Sequence, residues 1–307
     1  MEKSHDRLGR RLRVPLSEGY KGYRFNRIET GSSHFVTVRD LELLKFLHIH
    51  GEHQTTSSLF EATKHLGKNF KSLQHRLPIL THEMGLLTRP PQQLNCYMPS
   101  RNDLIYRLTP KAFDVLEENG LLRENVVDTS SHFAHQVMQS YCLAWFDLNS
   151  RETKLNFVPQ HEITSVNHLT VGDRRVYPDG MFMLTDGQKS LLIFLEIDRD
   201  TEAVRSWKTN KQSIELKLKH YREIIGKGIY KKQLGITCGA FVLFVTVNQR
   251  REDAILDAVK EVVGKNSYIL TTHEDGFDFD FSPPKNIDLL GRKWHRSGHP
   301  DWQFPVT

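Results

Sequence analysis

The sequence predicts two domains of mixed class, α+β followed by α/β: a winged helix-turn-helix first, then a compact unit of order α-β-β-β-α-β. Three observations lead there. The length, 307 residues, suits two compact domains, and 38% apolar against 26% charged residues is ordinary globular composition. Between 37 and 120 the apolar pattern reads as three short helices, a strand-like hairpin and a closing helix. Beyond 132 the apolar period alternates between helical and strand spacing.

Residues 1–36 are basic, rich in Gly and Arg and weakly patterned, so they read as an irregular arm. From Thr37, a helix cap, Val38, Leu41, Leu44, Phe46, Leu47 and Ile49 recur at helical spacing until Gly51. A second helix runs from the Thr55–Ser58 cap to Leu66 and Gly67. The third starts at Asn69 and passes through Pro78, a residue that kinks or ends helices, to about Met84. Gly85-Leu-Leu and Ile105-Tyr-Arg-Leu108 supply the wing strands, and Thr109-Pro-Lys opens the closing helix. The polar stretch 121–131 places the domain boundary near 124, giving a winged helix at 37–124 and a second domain at 125–275, with a tail at 276–307.

In the second domain a helix is expected from His132 to about Leu148, then strands at 155–159, 175–184 and 190–198. Thr185-Asp-Gly-Gln-Lys joins the last two as a hairpin. A long basic helix over about 203–225 is followed by an apolar strand at 240–247, a helix at 252–263 and a strand at 267–272.

Charge and composition narrow the function. No apolar run is long enough for a membrane helix, and the N-terminus has no apolar signal core. Three scattered cysteines without a CxxC pair fit a reduced cytoplasm and exclude a disulfide framework. Residues 1–110 carry 17 Lys and Arg against 10 Asp and Glu, and residues 205–232 carry nine against two. Two basic blocks point to a polyanion. Lys68, Asn69, Lys71, Ser72, Gln74, His75 and Arg76 lie on or beside the third helix, and residues 68–76 contain no acid. Amide and guanidinium groups suit base edges and lysine suits phosphate, so double-stranded DNA is the expected partner. Sixteen histidines lack zinc-finger spacing, and no zinc is expected.

The chemistry is concentrated in Tyr177-Pro-Asp-Gly180 and Phe194-Leu-Glu-Ile-Asp198. The hairpin turn lies between them, which brings Asp179 and Glu196 level across the strand pair. Asp198, two residues beyond Glu196, faces the same side. Three acids on one edge repel, and a hard divalent cation, Mg²⁺ or Mn²⁺, would relieve that repulsion. Asp179 and Glu196 are the expected ligands.

These residues resemble the PD-(D/E)xK nuclease superfamily (the restriction-endonuclease-like fold). Pro178-Asp179 matches its first motif, Glu196 its second acid, and the strand and helix order is the same. More narrowly, Pro178-Asp-Gly, Phe194-Leu-Glu-Ile-Asp-Arg-Asp-Thr-Glu202 and Lys217-Leu-Lys-His-Tyr-Arg222, in that order, resemble the replication-relaxation family of bacterial plasmids and mobile elements. That resemblance implies DNA binding in replication, relaxation or mobilisation, with metal-dependent nicking where the nuclease site is active. Homodimers or other plasmid replication and mobilisation proteins are the further partners it implies. The motif lysine is replaced by Asp198. Lys217 and Tyr221, spaced i and i+4 on the basic helix, share a face that can supply the missing cation, with Lys208 and Lys211 as weaker candidates. Glu162 and Gln136 are auxiliary candidates, Gln136 lying with His135 on the helix where this fold often carries an acid. The competing reading is a regulator that grips DNA and has lost catalysis.

Overall fold

The structure, a computed structural model, describes residues 34–51, 53–93, 103–121, 133–205, 213–277, 284 and 286–305. It is mixed α/β, built around a seven-stranded sheet. The arm at 1–33, the residues linking 121 to 133, and Lys208 and Lys211 lie outside the described residues.

The N-terminal unit begins with α1, Val38–Ile49. Thr37 caps it reciprocally with Asp40, so two otherwise orphaned backbone N–H groups are satisfied. Gly51 ends it at φ 92°, where a Cβ would sit 2.6 Å from Ser140 Oγ. Strand β1, Gln54–Thr55, precedes α2, Thr56–Thr63, and α3, Phe70–Pro78, which Asn69 caps through Lys71 N–H and Ser72 N–H. Pro78 donates no hydrogen bond, and the helix changes there to a π-helical turn, Ile79–Glu83, instead of stopping. Strands β2, Leu87–Thr88, and β3, Ile105–Leu108, complete an antiparallel sheet of order β1-β3-β2, and α4, Pro110–Glu118, closes the unit.

Helix α5, Phe133–Ser150, joins this unit to the large sheet. Gln54 Nε2 donates to the Ser140 carbonyl (2.9 Å), Ser140 Oγ to the Gly51 carbonyl (2.5 Å), and Arg151 to the Ala62 carbonyl (3.2 Å). The buried His50 ring meets Asp147 at 3.0 Å. One apolar cluster therefore runs from Leu43 and Leu77 through Tyr141 and Phe146 to Phe182 and Leu195.

The sheet is built from β4, Asn156–Pro159; β7, Gly180–Thr185; β8, Ser190–Asp198; β9, Gly239–Thr246; β10, Ile269–His273; β11, Trp294–Arg296; and β12, His299–Trp302. Its order is β12-β11-β10-β9-β8-β7-β4, with β8, β9 and β10 mutually parallel and the other neighbours antiparallel. A short α6, Gln160–Ile163, follows β4. On the face opposite α5 lie α7, Ile214–Gly226, α8, Ile229–Leu234, and α9, Gln249–Val262, over Leu192, Phe194, Val242 and Phe244.

Three elements differ from the sequence reading. The run 175–184 is two strands, because Pro178 and Asp179 interrupt it: β6, Arg174–Val176, pairs back on β5, Leu169–Val171, as a separate hairpin. The basic helix starts at Ile214, capped by Ser213, while Ala203–Arg205 is not helical. The region beyond 276 includes the β11–β12 hairpin, which extends the sheet. None of the described helices is long and apolar enough to cross a membrane.

Candidate active site

Gly180 pairs with Leu195 in the β7–β8 register, so Asp179, one residue before, stands level with Glu196, one residue after. The Asp179 carboxylate accepts from Ile197 N–H at 2.7 Å and meets His135 Nε2 of α5 at 3.0 Å. Gln139, one turn further along α5, donates to the Asp179 carbonyl. Glu196 is 1% exposed. Lys217 Nζ lies 2.9 Å from its Oε2, and Tyr221 donates its hydroxyl to Oε1. The Lys217 contact is a close ion pair to a carboxylate that is itself almost fully buried. Lys217 also reaches Glu202 at 3.4 Å.

The electrostatics divide the two acids. Burial, reinforced by the Asp179 charge, pushes Glu196 up to about 7 against the pull of Lys217 and Tyr221. Burial acts the same way on Asp179, but the His135 bond, the Lys217 charge and the Ile197 N–H outweigh it and hold that carboxyl low. Burial would lower His135, yet Asp179 raises it on balance. Burial likewise opposes the Lys217 charge, but Glu196, Asp179 and Glu202 together raise Lys217 above the ordinary lysine range. Burial and the neighbouring carboxylates push Tyr221 well up, so it stays a hydroxyl donor. A low acid, a high acid and a lysine now share one site, the separation that acid–base chemistry uses.

Asp198 does not join them. Arg251 Nε holds it at 2.6 Å, Asp200 N–H donates to it at 2.8 Å, and the Arg251 fork also engages Asp200 and the Glu202 carbonyl. The expectation of Asp198 as an outer or shared ligand meets an arginine that already neutralises it. Glu162 is exposed and lines a different recess, beside Lys45, His50 and Arg151. Gln136 is half-buried on α5, and the α5 residues on Asp179 are instead His135 and Gln139. Their i, i+4 spacing was the signal available in the sequence.

A divalent cation suits this donor set in part. Mg²⁺ is commonly held by one or two carboxylates with several waters, and Asp179 and Glu196 supply two hard donors. Among the described residues no group of three or more His, Cys, Asp or Glu is arranged as a metal cage.

Lys68, just before α3, and Lys71, Ser72 and His75 on it are exposed. Asn69 is occupied as the helix cap and Gln74 is half-buried. Arg76 turns inward: it binds Asp40 (2.7 and 3.1 Å) and the Phe35 carbonyl (2.6 Å). Asp40 is 1% exposed, so the α3 arginine is the counter-ion of a buried acid and not an outward-facing group. In the second basic block, among the described residues, Arg205 pairs with Glu261, Lys219 with Glu215 and Lys227 with Glu223.

The fold and site define a mixed α/β protein with a helix-supplied lysine on a buried glutamate beside a partly buried aspartate. The family model described as replication-relaxation matches residues 42–238, more than half of the chain, and the chain belongs to that family. The match contains Asp179, Glu196, Lys217 and His135 and stops short of Arg251. Comparison with curated proteins and with solved structures found no match.

Proposed function

We propose that this chain is a double-stranded-DNA-binding protein of a plasmid or mobile element, acting in replication, relaxation or mobilisation, and that its acid pair is a metal-dependent nicking centre. The N-terminal unit is read as a winged helix. Its helix, sheet order and closing helix follow that plan, and α3 with the residue before its cap offers Lys68, Lys71, Ser72 and His75 outward with no acid between 68 and 76. The C-terminal unit is read as PD-(D/E)xK-like.

The observation that carries the nicking reading is Lys217 on Glu196, with Asp179 level beside it. The motif position two residues after Glu196 is Asp198, and α7 delivers an ammonium from the next element instead. Asp179 and Glu196 would hold Mg²⁺ or Mn²⁺, which when bound lowers the pKa of a water and clamps a phosphate. Lys217 stabilises negative charge developing on the phosphate. Tyr221 fixes one Glu196 oxygen, and His135 and Gln139 fix Asp179.

The test is nicking of supercoiled plasmid with Mg²⁺ or Mn²⁺, paired with calorimetric titration of Mn²⁺. Asp179→Ala and Glu196→Ala should abolish nicking and weaken Mn²⁺ binding while leaving DNA affinity largely intact. Lys217→Ala should slow nicking and retain the ion. A non-catalytic DNA-binding regulator is the second reading, favoured by the engagement of both Asp179 oxygens within the protein. Wild type that nicks nothing and binds neither ion selects it.

A further inference from the structure

The β5–β6 hairpin leads directly into the acid pair, since Val176 is three residues before Asp179. It is firmly seated. Leu169 and Val176, partners across the hairpin, are buried against α7, and Gln233 of α8 exchanges two 2.8 Å hydrogen bonds with the Thr170 backbone. Gln233 thus satisfies one edge of the hairpin as a further strand would.

Its outward groups are of one kind. Arg174 and Arg175 are both exposed, and neither side chain forms an ion pair or hydrogen bond among the described residues. Asp173, in the turn, is the one acid between Leu169 and Val176. Arg174 and Arg175, successive on β6, point to opposite faces, and Arg174 is close enough to His220 of α7 to hold that imidazole low after burial has done so. Tyr177 is 51% exposed, and its ring rests on His168 at 5.3 Å between centroids. In the 205–232 block Arg205, Lys217, Lys219 and Lys227 are each paired with an acid, whereas Arg174 and Arg175 carry no such partner among the described residues.

We propose that this hairpin grips an unpaired DNA strand beside the acid pair. Arg174 and Arg175 take phosphates, and the exposed face of Tyr177 stacks on a base. Two unpaired guanidinium groups supply strand-tracking charge, and a propped aromatic ring supplies a sequence-tolerant platform; single-stranded nucleic acid is recognised by this combination. A fully paired duplex offers no open base face to Tyr177. The proposal rests on the DNA-binding reading above and names the strand state that the site receives.

The experiment is fluorescence anisotropy, over a salt series, with a duplex carrying a single-stranded gap and with the same duplex fully paired. Arg174→Ala/Arg175→Ala should reduce the slope of log K against log salt on gapped DNA by roughly 0.7 for each lost contact. Tyr177→Ala should weaken gapped-DNA binding by roughly five-fold or more with the slope unchanged, and Tyr177→Phe should restore it. Affinity for the paired duplex should hold in all three. The substituted side chains are exposed, and circular dichroism checks that the fold persists. Hairpin variants that bind gapped DNA like wild type, or that lose gapped and paired DNA equally, overturn the grip. If Lys68→Ala/Lys71→Ala then still weakens duplex binding, DNA binding itself stands. Wild type that binds neither DNA overturns both.

Discussion

Glu196 and Asp198 are two residues apart on one strand, face the same side, and are 1% and 3% exposed. Their surroundings nevertheless differ in kind. Asp198 meets a guanidinium that is itself 95% buried and bound to three partners, an arrangement fixed by planar geometry. Glu196 meets a lysine, a point charge on a flexible stem, a phenol, and a second carboxylate across the strand pair. The first environment satisfies its acid. The second, with burial and a neighbouring carboxylate opposing its lysine and phenol, raises a carboxyl to about 7. Burial alone therefore does not distinguish the two acids; what distinguishes them is the kind of partner each meets.

The comparison is broken most severely at Arg251. Arg251→Ala leaves Asp198 buried without its counter-charge, and urea unfolding should show a loss of about 3–5 kcal/mol. A loss below about 1 kcal/mol would mean that Asp198 is as adaptable as Glu196.

Glu196 supplies the next test, in metal-free buffer. Its carboxyl rises from the ordinary 4.5 to about 7 on folding, so the folded state holds the proton more tightly. Its contribution is fully present below pH 4.5 and is lost as pH rises through about 7, of order 3 kcal/mol by linkage. Asp179, held low, acts in the opposite sense and below its ordinary 3.8, outside this window. Unfolding free energies between pH 4.5 and 8 should decline more steeply in wild type than in Glu196→Gln; His135, itself raised by Asp179, adds a decline that both share. Parallel curves would show that Glu196 keeps an ordinary titration.

The smallest effects separate the two kinds of cation on and beside α3. Arg76→Ala exposes the buried Asp40 to an unpaired state and should lower stability by about 1–3 kcal/mol, with the salt slope of DNA binding unchanged. Lys68→Ala/Lys71→Ala should leave stability within about 0.5 kcal/mol and reduce the slope by about 0.9 per lost contact on duplex DNA. Reversal of the two outcomes would place Arg76 on the DNA and the lysines in the fold.

Much of this was legible in local pattern. Strand periodicity and the Asp-Gly turn set Asp179 level with Glu196, helical periodicity put Lys217 and Tyr221 on one face, and cap residues such as Thr37 and Asn69 marked helix starts. Such readings work because side-chain direction repeats every two residues in a strand and every 3.6 in a helix.

Partner choice across long separations was not legible. Asp198 and Arg251 lie 53 residues apart, Arg76 and Asp40 36, and His135 and Asp179 44. In the same way the fully buried Glu252 of α9 is bonded by Thr271, His273 and His295, although the last histidine reads in sequence as part of a polar tail. The sequence by itself determined which residues could face one another along each element. Only the tertiary structure decided which acid each cation neutralised, because that depends on how α5, α7 and α9 pack across the sheet, and a buried charge accepts whichever partner the packing brings within reach.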